Sequence, residues 1–142
     1  MYSSNDVIFN ISISPSEINT INLKKYLQNK FTDNIHNGIY ISNVSKVNTI
    51  NYGKITANGF IDVKINTICE IVNPVVESIY NNVIITNYNK LGSFVSFGKI
   101  SIFIPKEYSI NEEIPTLGMS INLKIIGKRI DDKITCIGKQ VY

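Results

Sequence analysis

Phe94, Phe97 and Phe103, set among Lys90, Lys99 and Lys106, are the residues of this chain whose types and spacing best suit recognition chemistry. Aromatic faces stack on unpaired bases, each stack contributing about 1–3 kcal/mol, and neighbouring ammonium groups meet phosphates. Three of these six residues, Lys90, Phe94 and Phe97, fall in the run Asn89-Lys90-Leu91-Gly92-Ser93-Phe94-Val95-Ser96-Phe97-Gly98. Phe94 and Phe97 are three residues apart, so a regular strand puts them on opposite faces. A bulge or strong coiling is needed to bring both outside. The alternative is that one or more of the three rings fills the interior. A second basic block, Lys124, Lys128, Arg129, Lys133 and Lys139 against Asp131 and Asp132, carries the whole net charge of +3. It permits contact with a polyanion, and it is equally explained as a solvated strand surface. The candidate RNA contacts are therefore Lys90, Phe94, Phe97, Phe103, Lys106, Lys128 and Arg129.

Residues for catalysis are scarce. General acid–base or nucleophilic chemistry needs a base near a nucleophile, or two carboxylates held in different environments. The single histidine, His36, lies at the expected end of a helix, where a surface imidazole suits the helix dipole. Asp131-Asp132 reads as a turn between two strands. No glycine-rich phosphate loop or dinucleotide fingerprint occurs, so no catalytic residue, metal or cofactor is expected. Cys69 and Cys136 each sit in an apolar stretch, as buried free thiols of a reducing compartment would. No apolar run approaches the roughly 20 residues of a membrane span, and the first residues lack the pattern of a signal peptide. An intracellular protein is expected.

The elements that must position these side chains follow from hydrophobic period. At 142 residues, with a hydrophobic fraction of 44% and a charged fraction of 18%, the chain can form one domain or two small ones. Ile is abundant and favours strands; the over-represented Asn reflects A/T-rich codons more than chemistry. Residues 7–14 alternate in period two, a half-buried strand. Ser14-Pro15-Ser16-Glu17 has the form of a helix start, and Ile18, Ile21, Leu27, Phe31 and Ile35 recur at helical intervals up to a stop at Asn37-Gly38. Strands are predicted over 39–47, 53–57 and 60–72, with a tight turn at Asn58-Gly59. One helix on an antiparallel sheet makes this half α+β. Asn73-Pro74 interrupts the pattern and marks a boundary near Pro74. Beyond it come five strand-like runs, 78–88, 93–97, 100–104, 120–130 and 133–141, with a polar connection over 105–118 that has room for one helical turn. Five short antiparallel strands with a long connection after the third match an OB barrel.

Asn89 to Val95, then Gly98, then Ile102-Phe103-Ile104, resembles the S-one RNA-binding variant of the OB fold. Leu123-Lys124-Ile125-Ile126-Gly127 with Ile137-Gly138 is similar to the closing strands of that domain in one family, the stalk subunit of multisubunit DNA-dependent RNA polymerases. The family comprises the seventh subunit of eukaryotic polymerase II and its archaeal counterpart. Residues 7–15 resemble the family's opening strand. Gly59-Phe60-Ile61, Val63-Lys64 and Ile71-Val72-Asn73-Pro74 resemble the stretch leading to its domain boundary. The likeness covers nearly the whole chain in the right order. It departs at Asn37-Gly38-Ile39, where the family has a Gly-Lys-aromatic turn, and at Glu77-Ser78, where the family has Gly-Glu.

Membership implies a polymerase-docking N-terminal domain over residues 1–74 and an OB-fold RNA-binding domain over 75–142. It implies as partners the RNA polymerase core subunits, a stalk protein of the fourth-subunit type and nascent single-stranded RNA. It further implies a location with the polymerase. The A/T-rich composition fits a divergent member encoded by a large DNA virus. Two other functions fit the residues: a free-standing OB-fold RNA-binding accessory factor in translation or RNA turnover, and an interaction protein whose barrel never meets RNA.

Overall fold

A computed structural model of the chain describes every residue except Asn19. The chain divides into two compact units, Tyr2–Val72 and Asn73–Tyr142 together with Met1.

The first unit is α+β. Its strands are β1 (Tyr2–Ile13), β2 (Asn34–His36), β3 (Ile39–Ile55) and β4 (Ile61–Val72), and its helix is α1 (Leu23–Phe31). The strands pair antiparallel in the order β1-β4-β3-β2. Because side chains alternate across a strand, Phe9, Ile11 and Ile13 of β1 share a face with Val63, Ile65, Cys69 and Ile71 of β4. On that face they meet Leu23 and Leu27 of α1 in one buried cluster.

The helix is shorter than its period suggests. Ser14 does not cap it: the Ser14 hydroxyl bonds that of Ser16, and the chain turns twice, with Glu17 N–H on the Ser14 carbonyl and Ile21 N–H on that of Glu17. The N-cap is Asn22, whose Oδ1 accepts from Lys25 N–H at 3.1 Å. Ile18 and Ile21 still pack on the core, but from a turn, which preserves their spacing without a helix. At the other end Asp33 takes a positive φ of 60°, and Ile35 lies in β2 opposite Tyr40. Asn22→Ala is expected to cost about 1 kcal/mol of stability in urea titrations. Ser14→Ala should change the midpoint little, and the reverse ranking would restore Ser14 as the cap.

The runs 39–47 and 53–57 are one strand, β3, because β4 pairs with its whole length; four irregularities in register absorb the mismatch. The Asn58-Gly59 turn forms as expected, with Gly59 at φ 85° and Thr56 N–H bonded to the Phe60 carbonyl at 2.7 Å.

The second unit is nearly all β: β5 (Ile79–Ile84), β6 (Asn87–Asn89), β7 (Gly92–Phe97), β8 (Ile100–Pro105), β9 (Ser120–Ile130) and β10 (Ile134–Val141). The sheet order is β5-β9-β10-β8-β7-β6, with β8 and β10 parallel and every other pair antiparallel. The two edge strands are pieces of one run, separated by Ile85 and Thr86. Ile85 bonds Met119 and Gly118 on one side, and the next residue, Thr86, bonds Phe94 on the other. The sheet therefore curls until both edges meet a single stretch of chain, which is why the predicted strand 78–88 is broken in two. Inside lie Val83, Ile85, Val95, Ile100, Ile102, Ile104, Ile121, Leu123, Ile125, Ile134 and Cys136. The connection between β8 and β9 holds two 3-10 turns, Lys106–Tyr108 and Ile110–Glu112. It is pinned by the buried Ser93 hydroxyl, which donates to the Pro115 carbonyl at 2.7 Å.

Both cysteines are buried free thiols. Burial pushes each thiol upward from its ordinary value; a hydrogen bond with Thr67 offsets part of this at Cys69, and the Lys128 ammonium part of it at Cys136. Among the described residues no helix is long and apolar enough to cross a membrane.

Candidate nucleic-acid interface

The outer surface of the curled sheet is read from its register. Ser93 and Val95 of β7 and Ile100, Ile102 and Ile104 of β8 are buried, so Phe94 and Ser96, and Ser101 and Phe103, face outward. Phe94 is directly opposite Phe103, and their rings stack with centroids 4.9 Å apart and planes 27° apart. Phe103 in turn stands beside Ile137 of β10, which is 43% exposed. Phe94, Phe103 and Ile137 thus form an apolar row crossing three strands on the outside. A parallel row of small polar groups, Ser96, Ser101 and Thr135, runs next to it and ends at Arg129 on β9.

Gly92 makes the close approach of β7 to β8 possible. A Cβ there would lie 2.1 Å from the Ile104 carbonyl oxygen. The neighbouring Leu91 carbonyl accepts from Lys106 N–H at 2.9 Å. This bond brings the turn carrying Lys90 and the start of the next connection to the same end of the β7–β8 pair. Lys90 and Lys106 are both exposed there.

Two members of the expected set point elsewhere. The β7–β8 ladder runs from Gly92 opposite Pro105 to Phe97 opposite Ile100 without a bulge. Phe97 therefore falls on the opposite side of β7 from Phe94, half-buried at the strand's end. Lys128 lies opposite buried Cys136, on the inward-facing register, and its Nζ donates to Asn73 Oδ1 at 2.7 Å. Arg129, next to it, faces outward opposite Thr135, with Nε 2.7 Å from Asp131 Oδ2.

Ile137, Thr135, Lys124 and Lys139 share this face, and sequence reasoning did not select them as contacts. The alternation of Ile134-Thr135-Cys136-Ile137 was visible, but not that β10 would lie parallel to β8. Among the described residues no group of three or more His, Cys, Asp or Glu side chains is placed to hold a metal ion.

Together these elements define a two-unit protein, α+β then curled β-sheet, whose second unit carries an outward-facing, half-buried aromatic pair beside exposed Ile137, edged by basic side chains. The sequence matches no model of a known protein family and no curated protein.

Proposed function

We propose that this chain is a non-catalytic stalk subunit of a DNA-dependent RNA polymerase, docking on the core through its first unit and contacting nascent RNA through its second. The observation that carries the proposal is the stacked Phe94–Phe103 pair on the outer face, edged by Lys90 and Lys106. Both rings are half-buried and present their outward side on that face. Aromatic faces of this kind are a platform for unpaired bases that tolerates any sequence, as a transcript-guiding surface requires.

Two further features support it. If Ile79–Asn89 is counted as one interrupted strand, the second unit has the strand order of a five-stranded OB barrel, with the third and fifth strands parallel. This fits the S-one resemblance of the same segments. In the first unit, the far end of the β3–β4 hairpin leaves Ile50, Tyr52, Ile55 and Phe60 exposed, Tyr52 by 55% and Ile55 by 67%. Ile50, Tyr52 and Ile55 lie opposite Ile65, Val63 and Ile61, so the apolar face of the sheet continues beyond what α1 covers. Contiguous apolar surface of this kind is characteristic of a protein–protein contact, here with polymerase core subunits; a stalk protein of the fourth-subunit type is the other expected partner.

Two measurements test this. Affinity purification at native salt with mass identification should recover the large polymerase subunits; a complex free of them overturns the proposal in favour of a free-standing RNA-binding factor. In parallel, Phe94→Ala with Phe103→Ala should weaken binding of single-stranded RNA by about 1–3 kcal/mol per stacked base. Unchanged affinity in a folded variant would remove the barrel's RNA role.

A further inference from the structure

The β9–β10 ladder contains an arrangement that strand stability alone disfavours. Lys124 and Lys139 stand directly opposite each other. Their neighbours in the register, Leu123, Ile125 and Gly138, are buried, so both ammonium groups project on the outer face. Like charges directly opposite repel and destabilise a sheet. One carboxylate relieves half of this: Glu77 Oε2 is 3.0 Å from Lys124 Nζ. Glu77 is held in place by its backbone, at φ 72°, with its N–H donating to the Ile125 carbonyl at 2.7 Å. Non-glycine residues in that region of φ are uncommon and sit there under constraint.

The position of the pair matters as much as its charge. Lys139 is two residues beyond Ile137 on the same face, about 7 Å along the strand, and Ile137 is the neighbour of Phe103. Because β10 runs parallel to β8, Lys139 lies toward the end of the sheet where Pro105, Lys106 and the Lys90 turn are found. The apolar row is therefore edged on one side by lysines from three separate connections and strands. On its other side stands Arg129, already paired with Asp131.

We infer that Lys124 and Lys139 form a phosphodiester-binding site flanking the Phe94–Phe103–Ile137 row, which Glu77 occupies as an internal carboxylate until a single-stranded RNA displaces it. This rests on the proposed RNA contact of the same face and adds its phosphate side. The strand's bases lie on the aromatic row and its backbone follows the lysine edge. An incoming phosphodiester carries one negative charge, as Glu77 does, but its two free oxygens can accept from both ammonium groups, whereas the ion pair of Glu77 is with Lys124. Glu77 thus sets a threshold: binding must exchange one anion for another.

The test uses the full chain and a short fluorescein-labelled oligouridine, with anisotropy titrations from about 50 to 200 mM salt. Single-strand binding loses about 0.7 in the slope of log K against log salt for each phosphate contact removed. Lys139→Ala should flatten the slope by about that amount, and Lys124→Ala with Lys139→Ala by more. Glu77→Gln should bind more tightly than wild type and titrate more steeply. If Phe94→Ala with Phe103→Ala abolishes binding while Lys139→Ala leaves the slope unchanged, the phosphate site is refuted and the aromatic interface stands. If Glu77→Gln binds no more tightly than wild type, Glu77 is not the displaced anion and that part is refuted. If wild-type protein does not bind the oligonucleotide at all, the RNA contact itself fails and the phosphate site falls with it. Thermal unfolding of each variant separates these outcomes from loss of fold.

Discussion

Gly92→Ala is expected to destabilise the second unit by about 3 kcal/mol or more, well above an ordinary surface substitution. The cause is backbone, not side chain. An added Cβ would lie 2.1 Å from the Ile104 carbonyl oxygen and 3.0 Å from both the Ile104 carbonyl carbon and Phe103 Cε2. A flexible side chain could swing aside, but a carbonyl in a paired strand moves only if the ladder opens. The ladder that would open is the one that sets Phe94 against Phe103. Loss of stability should therefore be accompanied by loss of the stacked pair, seen as a change in the aromatic region of the proton spectrum. Gly59→Ala is the control: a Cβ at Gly59 meets nothing within 4 Å, so only its positive φ of 85° opposes the substitution, at about 1 kcal/mol. Urea unfolding should rank Gly92→Ala far below Gly59→Ala. Equal midpoints would show that β8 yields at Ile104 and that the close approach is not required.

The second large effect lies in the first unit. Phe9 is fully buried at the centre of the helix-on-sheet core, with its ring 4.4 Å from that of Phe31 and 4.9 Å from the His36 imidazole. Those partners come from the end of α1 and from β2, so one side chain ties the edge strand β1 to the elements that follow the helix. Phe9→Ala should cost about 3–5 kcal/mol, the range for truncating a buried aromatic whose cavity cannot collapse. Phe9→Leu keeps most of the volume and should cost less than about 1.5 kcal/mol. Denaturant titrations of the two variants measure the gap. A cost below about 1 kcal/mol for Phe9→Ala would mean that α1 and β2 close over the space, and that Phe9 does not anchor them. With β1 released, residues 2–13 should also lose amide protection in hydrogen exchange, because their partners lie along β4.

Local features are legible in the chain itself. Period-two alternation located the strands from residue 7 onward, since burial of one face of a sheet imposes that period directly. The Asn58-Gly59 turn was read correctly, because the pair tolerates the positive φ that a tight hairpin needs. The polarity and prolines of the segment 105–118 mark it as a connection, and it holds two 3-10 turns. That one helix lies on an antiparallel sheet was also readable, as the helical spacing of Leu27 and Phe31 differs from everything around it.

The remaining features each depend on pairing between distant residues. The helix begins at Leu23 because the Asn22 side chain, and not that of Ser14, accepts from a free N–H of the first turn, that of Lys25; both residues are good caps, and spacing alone cannot choose between them. β3 is continuous because β4 runs beside all of it, and strand 78–88 breaks because one residue must face β9 and the next β7. Phe94 and Phe97 separate because the ladder has no bulge, and Lys128 turns inward because its register partner is buried Cys136. Chain order puts Phe103 and Ile137 far apart, and only the parallel alignment of β8 with β10 makes them neighbours. Which residues alternate and where the chain can turn follow from residue order alone, since both depend on local sterics and on which side chains avoid water. Which alternating faces meet is set only by long-range pairing, because hydrogen bonds between strands are formed by backbone groups that nearly every residue type carries.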